Sequence, residues 1–494
     1  MPLSADVKAA GLSQQSNNYR DQHLFGPGPK RVLALDGGGV RGAITVAFLE
    51  RIEEILCDRF GKDFRLGHWF DLVGGTSTGA LIAGALALGY RAKDISGFYT
   101  DRAAIAFRRP RWRIPLFQAK FDTLALRREI NLIVRERELE SNDLITGLCV
   151  VTKRMDTGSP WIVANNPQAP YWETPKPNPK TGKPDFIGNR YYKLANLVRA
   201  STAAPHFFDP EMLPIVEDPS VGTLADVRAT ARANPWFARF MMAAVARLGL
   251  KRETVFNSKT DGLFVDGGVT PHNNPSLALF QMTQLKPYRL CWPTGPERLS
   301  VVSIGTGTHR PRLDFANLGF GRFPKLAFHS LLSLMNDSEV QVLTQMQWLG
   351  ECLQPWTINS EIGALRGDTP PGGKMFRFLR YDVKLELDWL REELGFDGSE
   401  EDVIRYRCMD DPGIIPKIYK LAQDAAKKQV KPEHWAGDLP GWCNGAVPTP
   451  PEHPPLPKAV VQTWWSKGGE RLAPMLRLLG NLTRNKPLPP ADPT

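Results

Sequence analysis

The sequence lacks the features that mark several common classes of protein. Its six cysteines form no CxxC pair and follow no regular spacing, which argues against a zinc knuckle and a disulfide framework. The most apolar run, which begins at Ala80, is too short to span a bilayer. No group of Asp, Glu and His residues has the spacing of metal ligands, so we expect neither a metal nor another cofactor. The N-terminal segment has no basic start followed by an apolar core, so we expect no signal peptide and a cytoplasmic location.

The chain is basic, with a formal net charge of +10 and a pI of about 9.2. This balance permits contact with nucleic acid, an anionic membrane or an acidic ligand. No block of consecutive Lys and Arg residues resembles a nucleic-acid-binding arm, so we expect no nucleic-acid partner. The densest basic cluster surrounds Trp112 and is either an exposed loop or a patch that contacts a membrane surface transiently. Its members are Arg108, Arg109, Arg111 and Arg113.

Short apolar runs alternate with helical patterns along much of the chain. The runs at 31–37 and 69–75 are each followed by a helical pattern, at 42–60 and 78–90 respectively. This alternation predicts an α/β fold with a mostly parallel central sheet and helices on both faces. Further strands are predicted at 147–153, 160–165, 262–268 and 299–307.

Changes in composition divide the chain into four parts. A loose polar leader at 1–29 precedes an α/β domain at 30–310, which carries an insertion near 212–260. A mainly helical part at 311–439 is expected to pack on this domain. A Pro-rich extension follows at 440–494 and is either a stiff linker or a wrapping arm.

The first motif is a glycine-rich loop, DGGGVRG, between a predicted strand and a predicted helix. Glycines let backbone N–H groups approach an anion closely, and the helix N-terminus adds a favourable dipole. The loop therefore fits either a dinucleotide phosphate or the oxyanion of an acyl-transfer intermediate. The helix that follows has no strand near its end to present an acid to a ribose, which disfavours the dinucleotide. The motif residues are Asp36, Gly37, Gly38, Gly39, Val40, Arg41 and Gly42.

The second motif, GTSTG, also joins a predicted strand to a predicted helix. In that setting GxSxG is the nucleophile elbow, a sharp turn that holds a serine hydroxyl above the sheet. Gly75 and Gly79 flank Ser77 at two residues on either side, and small neighbours make such a turn sterically possible. The alternative is an ordinary tight turn whose hydroxyl caps the helix. The pairing with a glycine-rich loop favours the elbow.

The third motif, DGGVTPHNNP, places Asp266 at the end of a predicted strand, followed by Gly267 and Gly268. A serine nucleophile needs a base, and no histidine lies in a motif that identifies it as one. A carboxylate can act as the base directly if partial burial raises its proton affinity. Asp266 is therefore the candidate base. His272, in the same loop, either modulates this carboxylate or only packs there.

In this order, DGGGVRG, GTSTG and DGG resemble the signature of the patatin-like phospholipases. RASTAAPHFF at 199–208 resembles a further segment of that family, which packs near the site. The resemblance covers 31–310 and implies a patatin-like three-layer α/β fold, with Ser77 as nucleophile and Asp266 as its base. It also implies an oxyanion-hole loop that contains Gly37, Gly38, Gly39 and Arg41.

The resemblance further implies the reaction. A patatin-like phospholipase hydrolyses fatty-acyl esters of phospholipids or other acyl lipids, through an acyl-enzyme and with transient contact to a membrane surface. Two alternative functions that use the same acyl-transfer chemistry stay open. One is a carboxylesterase or thioesterase that acts on soluble acyl substrates. The other is an anti-phage phospholipase effector, since some bacterial members are switched on by a small-molecule nucleotide. A nucleotide-binding protein that uses DGGGVRG only to bind phosphate is disfavoured, because the chain has no GK[ST] motif.

Overall fold

The computed structural model describes residues 19–107, 119–216, 260–310 and 322–443, together with residues 447–449, 451 and 453. All of these residues belong to one compact unit, Met1–Leu456. The basic cluster around Trp112 lies outside the described residues, as do most of the predicted insertion and nearly all of the Pro-rich extension. Their predicted roles stay predictions.

Nine strands form one sheet at the centre of the described residues. In chain order they are β1 (Lys30–Leu35), β2 (Leu72–Thr76), β3 (Gly147–Arg154), β4 (Ser159–Ala164), β5 (Glu211–Pro214), β6 (Asp261–Asp266), β7 (Leu299–Ile304), β8 (Gly350–Cys352) and β9 (Phe376–Tyr381). Hydrogen-bonded neighbours follow the path β5-β6-β3-β2-β1-β7-β9-β8, in which β6 and β2 pair with successive parts of the same edge of β3, and β4 pairs with its other edge. Pairs among β1, β2, β3, β7, β8 and β9 are parallel, whereas pairs that involve β4, β5 or β6 are antiparallel. The predicted mostly parallel sheet is confirmed.

The α-helices of the described residues are α1 (Tyr19–Phe25), α2 (Gly42–Phe60), α3 (Leu66–Trp69), α4 (Thr78–Ala87), α5 (Ala92–Ala106), α6 (Thr123–Val134), α7 (Leu194–Ser201), α8 (Ser276–Gln284), α9 (Arg322–Leu349), α10 (Leu387–Leu394), α11 (Glu400–Tyr406) and α12 (Ile415–Gln429). Among the described residues, none of these helices combines the length and the hydropathy that a membrane span requires.

Helices pack on both faces of the sheet because the side chains of each strand alternate. In β1, Leu33 and Leu35 belong to the larger core cluster, which also contains the apolar residues of α2, α4 and α12. Val32 and Ala34 belong to a second core cluster on the opposite face, with residues of α8 and α9. The predicted three-layer α/β fold is therefore confirmed.

The central sheet also includes strands from the part predicted to be mainly helical. Within 311–439, β9 pairs in parallel with β7 and β8 pairs in parallel with β9. Five of the six residues of β9 are buried, as expected of a strand covered on both faces. This part of the chain therefore extends the sheet and does not only pack on it.

Part of the predicted N-terminal leader is helical and buried rather than loose. In α1, Leu24 packs in the second core cluster. The Leu24 carbonyl accepts a hydrogen bond from Trp292 Nε1 at 2.9 Å, and His23 Nδ1 lies 2.9 Å from Asp71 Oδ1. A helix of seven residues is marginal by itself in water, so these long-range contacts stabilise it. Its sequence is too short to show a periodic pattern, which is why the sequence alone did not predict it.

Candidate active site

Ser77 lies on a sharp turn between β2, which ends at Thr76, and α4, which begins at Thr78. Its backbone angles are φ 55° and ψ −122°, a conformation that residues with a side chain rarely adopt. Gly79 lets the turn approach the neighbouring strand, because a Cβ atom there would lie 2.2 Å from the Leu35 carbonyl oxygen. The GTSTG segment therefore has the strained strand–turn–helix geometry expected of an elbow.

The pairing of β3 brings Asp266 to the same place. On one edge of β3, Val151 pairs with Thr76 at the end of β2. On that same edge the next residue, Thr152, pairs with Asp266 at the end of the antiparallel strand β6. The other edge of β3 is occupied by β4. The carboxyl ends of β2 and β6 thus meet end to end, which places two residues far apart in sequence side by side.

Ser77 and Asp266 are in direct contact. Ser77 Oγ donates a hydrogen bond to Asp266 Oδ2 at 2.6 Å. The other carboxylate oxygen, Oδ1, accepts a hydrogen bond from the Gly268 N–H group at 2.7 Å. Burial raises the pKa of Asp266 to about 6, although the two hydrogen bonds and the positive charge of Arg199 oppose this shift. A carboxylate of raised proton affinity beside a serine hydroxyl is suited to accept its proton.

The glycine-rich loop has two backbone N–H groups that are free to bind an anion. Among the described residues, the N–H groups of Gly38 and Gly39 have no hydrogen-bond acceptor. The loop is held from both sides, because Gly37 N–H donates to the Asn273 carbonyl at 3.1 Å and Thr306 Oγ1 donates to the Gly37 carbonyl at 2.8 Å. The Arg41 N–H, by contrast, already donates to the Gly38 carbonyl at 3.2 Å, so within the predicted loop the N–H groups of Gly38 and Gly39 are more accessible to an anion than that of Arg41.

The segment 199–208 contacts both residues of the pair. Ser201 Oγ accepts a hydrogen bond from the Ser77 N–H group at 2.8 Å and donates one to the Val151 carbonyl at 2.6 Å. The Ala203 carbonyl accepts a hydrogen bond from the Asp266 N–H group at 3.0 Å. The sequence predicted that this segment packs near the site, but it did not identify Ser201 as the residue that supports the elbow.

Replacing Ser201 with alanine is expected to lower both stability and activity. The variant leaves the partly buried Ser77 N–H group without its acceptor, which costs about 1 kcal/mol of the free energy of unfolding, and it loosens the backbone that holds the Ser77 hydroxyl. Urea unfolding and esterase kinetics measure the two effects. Ser276→Ala is the matched control, because the buried Ser276 Oγ has no hydrogen-bond partner within the described ranges. Equal losses in both variants would contradict the assigned role of Ser201.

The histidines near the site do not complete a triad. The His272 carbonyl accepts a hydrogen bond from Thr76 Oγ1 at 2.6 Å, but the imidazole has no hydrogen bond to Ser77 or Asp266. Burial lowers the pKa of His272. The His206 ring packs against Phe207 at a centroid distance of 5.6 Å. The arrangement is a serine–carboxylate pair, with both imidazoles outside it.

Behind the glycine-rich loop lies a buried charge cluster that the sequence did not predict. Asp36, Glu339 and Asp382 bring three carboxylates together, with one oxygen of each within 4.8 Å of the others. Arg380 Nη2 occupies their centre, at 2.7 Å from Asp36 Oδ2, 3.1 Å from Glu339 Oε1 and 2.6 Å from Asp382 Oδ2. Burial raises the pKa of Asp36 well above its ordinary value, despite the opposing charge of Arg380. The guanidinium of Arg41 is buried near two of these carboxylates, Glu339 and Asp382. Asp36 thereby anchors the loop to β9.

The fold and this arrangement define a class of α/β proteins, which hold a serine on a strand–helix elbow beside a buried carboxylate and a glycine-rich loop. The family model described as patatin-like phospholipase matches residues 33–280 of the chain. That range includes all three motifs. The chain belongs to the patatin-like phospholipase family.

Three relatives illustrate how far the similarity extends. The cGAMP-activated phospholipase of Escherichia coli (strain TW11681) is 31% identical over 186 residues, which cover 36% of this chain and 48% of that protein. The cGAMP-activated phospholipase of Vibrio cholerae serotype O1 is 31% identical over 192 residues, which cover 36% and 49%. Patatin-like protein 1 of Arabidopsis thaliana is 25% identical over 304 residues, which cover 56% and 58%. The chain therefore spans about half the length of the curated relatives it matches.

Proposed function

We propose that the protein is a lipid acyl hydrolase of the phospholipase A type, with Ser77 as nucleophile and Asp266 as base. The observation that carries this proposal is the contact of 2.6 Å between Ser77 Oγ and Asp266 Oδ2. The free N–H groups of Gly38 and Gly39 support it, because an acyl-transfer reaction needs donors for the negative charge on the carbonyl oxygen. Membership in the patatin-like phospholipase family supports the lipid substrate.

In the first half of the reaction, Ser77 Oγ attacks the ester carbonyl carbon while Asp266 Oδ2 accepts the hydroxyl proton. The carbonyl oxygen becomes an oxyanion and receives hydrogen bonds from the Gly38 and Gly39 N–H groups. When the intermediate collapses, the bond to the alcohol oxygen breaks and Asp266 returns the proton to that oxygen. The products are a lysophospholipid, or another alcohol, and an acyl group esterified to Ser77.

In the second half, Asp266 accepts a proton from a water molecule that attacks the acyl carbonyl carbon. The same two N–H groups bind the second oxyanion. Collapse breaks the bond to Ser77 Oγ, which takes the proton back from Asp266, and the fatty acid leaves. One carboxylate thus serves as base and acid in turn, and a raised proton affinity suits both roles.

We also propose that a nucleotide activates the hydrolase and that the protein contacts a membrane surface only transiently, from the cytoplasm. The names of the two bacterial relatives, both cGAMP-activated phospholipases, support the first of these proposals. A carboxylesterase or thioesterase acting on soluble acyl substrates is the alternative, since the catalytic pair and the oxyanion donors serve either substrate.

Release of fatty acid from mixed phospholipid vesicles tests the proposed function. Wild type, Ser77→Ala and Asp266→Asn are compared with and without added cyclic dinucleotides, and circular dichroism checks that each variant is folded. We expect fatty acid from wild type and none above background from Ser77→Ala. Hydrolysis of soluble acyl esters without hydrolysis of vesicles would favour the carboxylesterase. Undiminished release by Ser77→Ala would exclude the proposed mechanism.

Acyl hydrolysis is expected to rise with pH through the pKa of about 6 of Asp266. The base must be ionised to accept the Ser77 proton, so protonation below this pKa removes activity and deprotonation above it restores activity. The measurement is kcat/KM against pH with a soluble acyl ester, which avoids the ionisation of lipid headgroups. A rate that is constant, or that falls as pH increases from about 5 to 7, would contradict Asp266 as the base.

A further inference from the structure

A cavity of about 760 Å³ lies among residues 347–429, outside the range matched by the family model. It opens between β8, the segment that follows it, α10 and the end of α12. Its volume falls within the range of about 300–1,000 Å³ that is usual for small-molecule sites. The cavity wall includes Gln347, Trp356, Lys374, Lys384, Trp389 and Gln429. None of these residues belongs to the serine–carboxylate pair or to the glycine-rich loop.

Two tryptophans give the cavity an aromatic wall. The rings of Trp356 and Trp389 are stacked, with centroids 6.0 Å apart and planes 24° from parallel. Trp356 is fixed by two hydrogen bonds: its Nε1 donates to the Arg380 carbonyl at 2.9 Å and its backbone N–H donates to Gln347 Oε1 at 2.7 Å. Both indoles are partly exposed in the cavity wall. A rigid aromatic surface of this kind binds planar rings by stacking.

A cation without an acidic partner lies beside this wall. Lys384 Nζ is 5.5 Å from the centroid of the Trp356 ring, and within the described ranges it makes no ion pair and no side-chain hydrogen bond. The lysine is half-buried, and this burial lowers its pKa although Glu386 opposes the shift. Lys428, on the same cavity wall, is neutralised by Glu393 at 2.8 Å. Lys384 therefore offers an entering anion an ammonium group that no carboxylate of the described residues contacts directly, although Glu386 and Asp382 lie near enough to oppose the lowering of its pKa.

We propose that this cavity binds a nucleotide, with the base stacked on the tryptophan pair and the phosphate paired with Lys384. A ligand that carries both a planar ring and an anionic group can contact the tryptophan pair and Lys384 at the same time. A free phosphate would use only the lysine, and an acyl chain would use only the rings. This inference rests on the proposed function, in which a nucleotide activates the hydrolase. It adds the site at which that nucleotide binds.

The cavity wall is connected to the glycine-rich loop by hydrogen bonds and ion pairs. Gln429 Nε2, in the cavity wall, donates to the Asp382 carbonyl at 2.8 Å. The Asp382 carboxylate pairs with Arg380 at 2.6 Å, and the same guanidinium pairs with Asp36 at 2.7 Å. Asp36 is the first residue of DGGGVRG. A ligand that shifts Gln429 or Trp356 would thus act on residues that hold the glycine-rich loop, and these contacts are the route that we propose for coupling between the two sites.

Binding is measured apart from activity on the full chain carrying Ser77→Ala, by titration calorimetry and by quenching of tryptophan fluorescence. The probes are a cyclic dinucleotide, AMP and inorganic pyrophosphate. We expect one nucleotide bound per chain with quenched fluorescence, and weaker binding of pyrophosphate. Adding Lys384→Met, which keeps the aliphatic stem over Trp356, is expected to weaken nucleotide binding by about tenfold or more, the usual loss for a charge-assisted contact.

The matched control is Lys420→Met on α12, since the Lys420 side chain is 66% exposed, pairs with Asp424 and does not line the cavity. It should bind nucleotide like the parent. The inference is overturned if no nucleotide binds, if pyrophosphate binds as tightly as the nucleotides, or if Lys384→Met and Lys420→Met behave alike. If nucleotide binds but the wild-type protein hydrolyses no ester, the proposed function is rejected and the proposed nucleotide site is retained. Binding that leaves acyl release unchanged would overturn the coupling to the loop.

Discussion

Asp266→Asn is expected to remove nearly all acyl hydrolysis while making the protein more stable. Asparagine has the shape of aspartate but cannot accept the Ser77 proton, so kcat should fall by about a hundred- to ten-thousandfold, the usual contribution of a general base. The stability gain has a separate origin. Burial raises the pKa of Asp266 from 3.8 to about 6, so the ionised side chain at neutral pH destabilises the folded state.

The sign of the stability effect follows from that shift. A carboxyl group with a raised folded-state pKa binds its proton more tightly in the folded than in the unfolded chain, so its contribution to stability decreases as pH rises from 3.8 to about 6. A neutral side chain removes this loss, and we expect a gain of about 1–3 kcal/mol at pH 7.5 that shrinks towards pH 5. Urea unfolding at both pH values measures it.

Asp402→Asn is the matched control for Asp266→Asn. Hydrogen bonds from Ser399 lower the pKa of Asp402, which is the opposite direction. This control should keep full activity and gain no stability. A loss of stability in Asp266→Asn would show that the ionised Asp266 does not destabilise the folded state. Wild-type activity in that variant would show that Asp266 is not the base.

Arg380→Met is expected to destabilise the protein by about 3–5 kcal/mol, the usual cost of leaving a buried charge without its partner. The substitution leaves Asp36, Glu339 and Asp382 without the guanidinium that pairs with all three. Because Asp36 begins the glycine-rich loop, ester hydrolysis should fall as well. Thermal and urea unfolding of the variant give the first effect, and kinetics below its melting temperature give the second.

Arg377→Met provides the comparison within the same strand, β9. The Arg377 side chain is 32% exposed and its partner Glu297 is 86% exposed, and exposed ion pairs contribute roughly 0–1 kcal/mol. The two variants remove the same charge and keep a similar side-chain volume. If Arg377→Met lowers the free energy of unfolding as much as Arg380→Met, the buried carboxylates do not need Arg380 as their partner.

The sequence predicted the elements of the site because each leaves a local pattern. A glycine-rich loop, an elbow and an acid at a strand end are all recognisable within ten residues of chain, and their common order resembles one family. The fold class was likewise predictable from alternating apolar runs and helical patterns. The structure adds the reason why Ser77 and Asp266 meet, although 189 positions separate them in the chain. That reason is the register of β3, which no local pattern encodes.

Other parts of the site depend on contacts between distant segments and could not be predicted. Ser201 supports the elbow only because α7 packs against β3, and serine in a helix carries no such signal by itself. Arg380 lies in an apolar strand, where its side chain would ordinarily be unexpected, and its three acidic partners come from three different segments. The helix at residues 19–25 owes its burial to Asp71 and Trp292, neither of which is near it in sequence.

Covalent labelling tests the central claim most directly. A fluorophosphonate reacts with a serine only when a base activates the hydroxyl and donors stabilise the charge on the phosphoryl oxygen. Wild-type protein treated with this reagent should carry one adduct, located by peptide mass spectrometry on Ser77, and labelling should be absent in Ser77→Ala and slow in Asp266→Asn. An adduct on another serine, with Ser77 unmodified in protein that hydrolyses esters, would contradict the account.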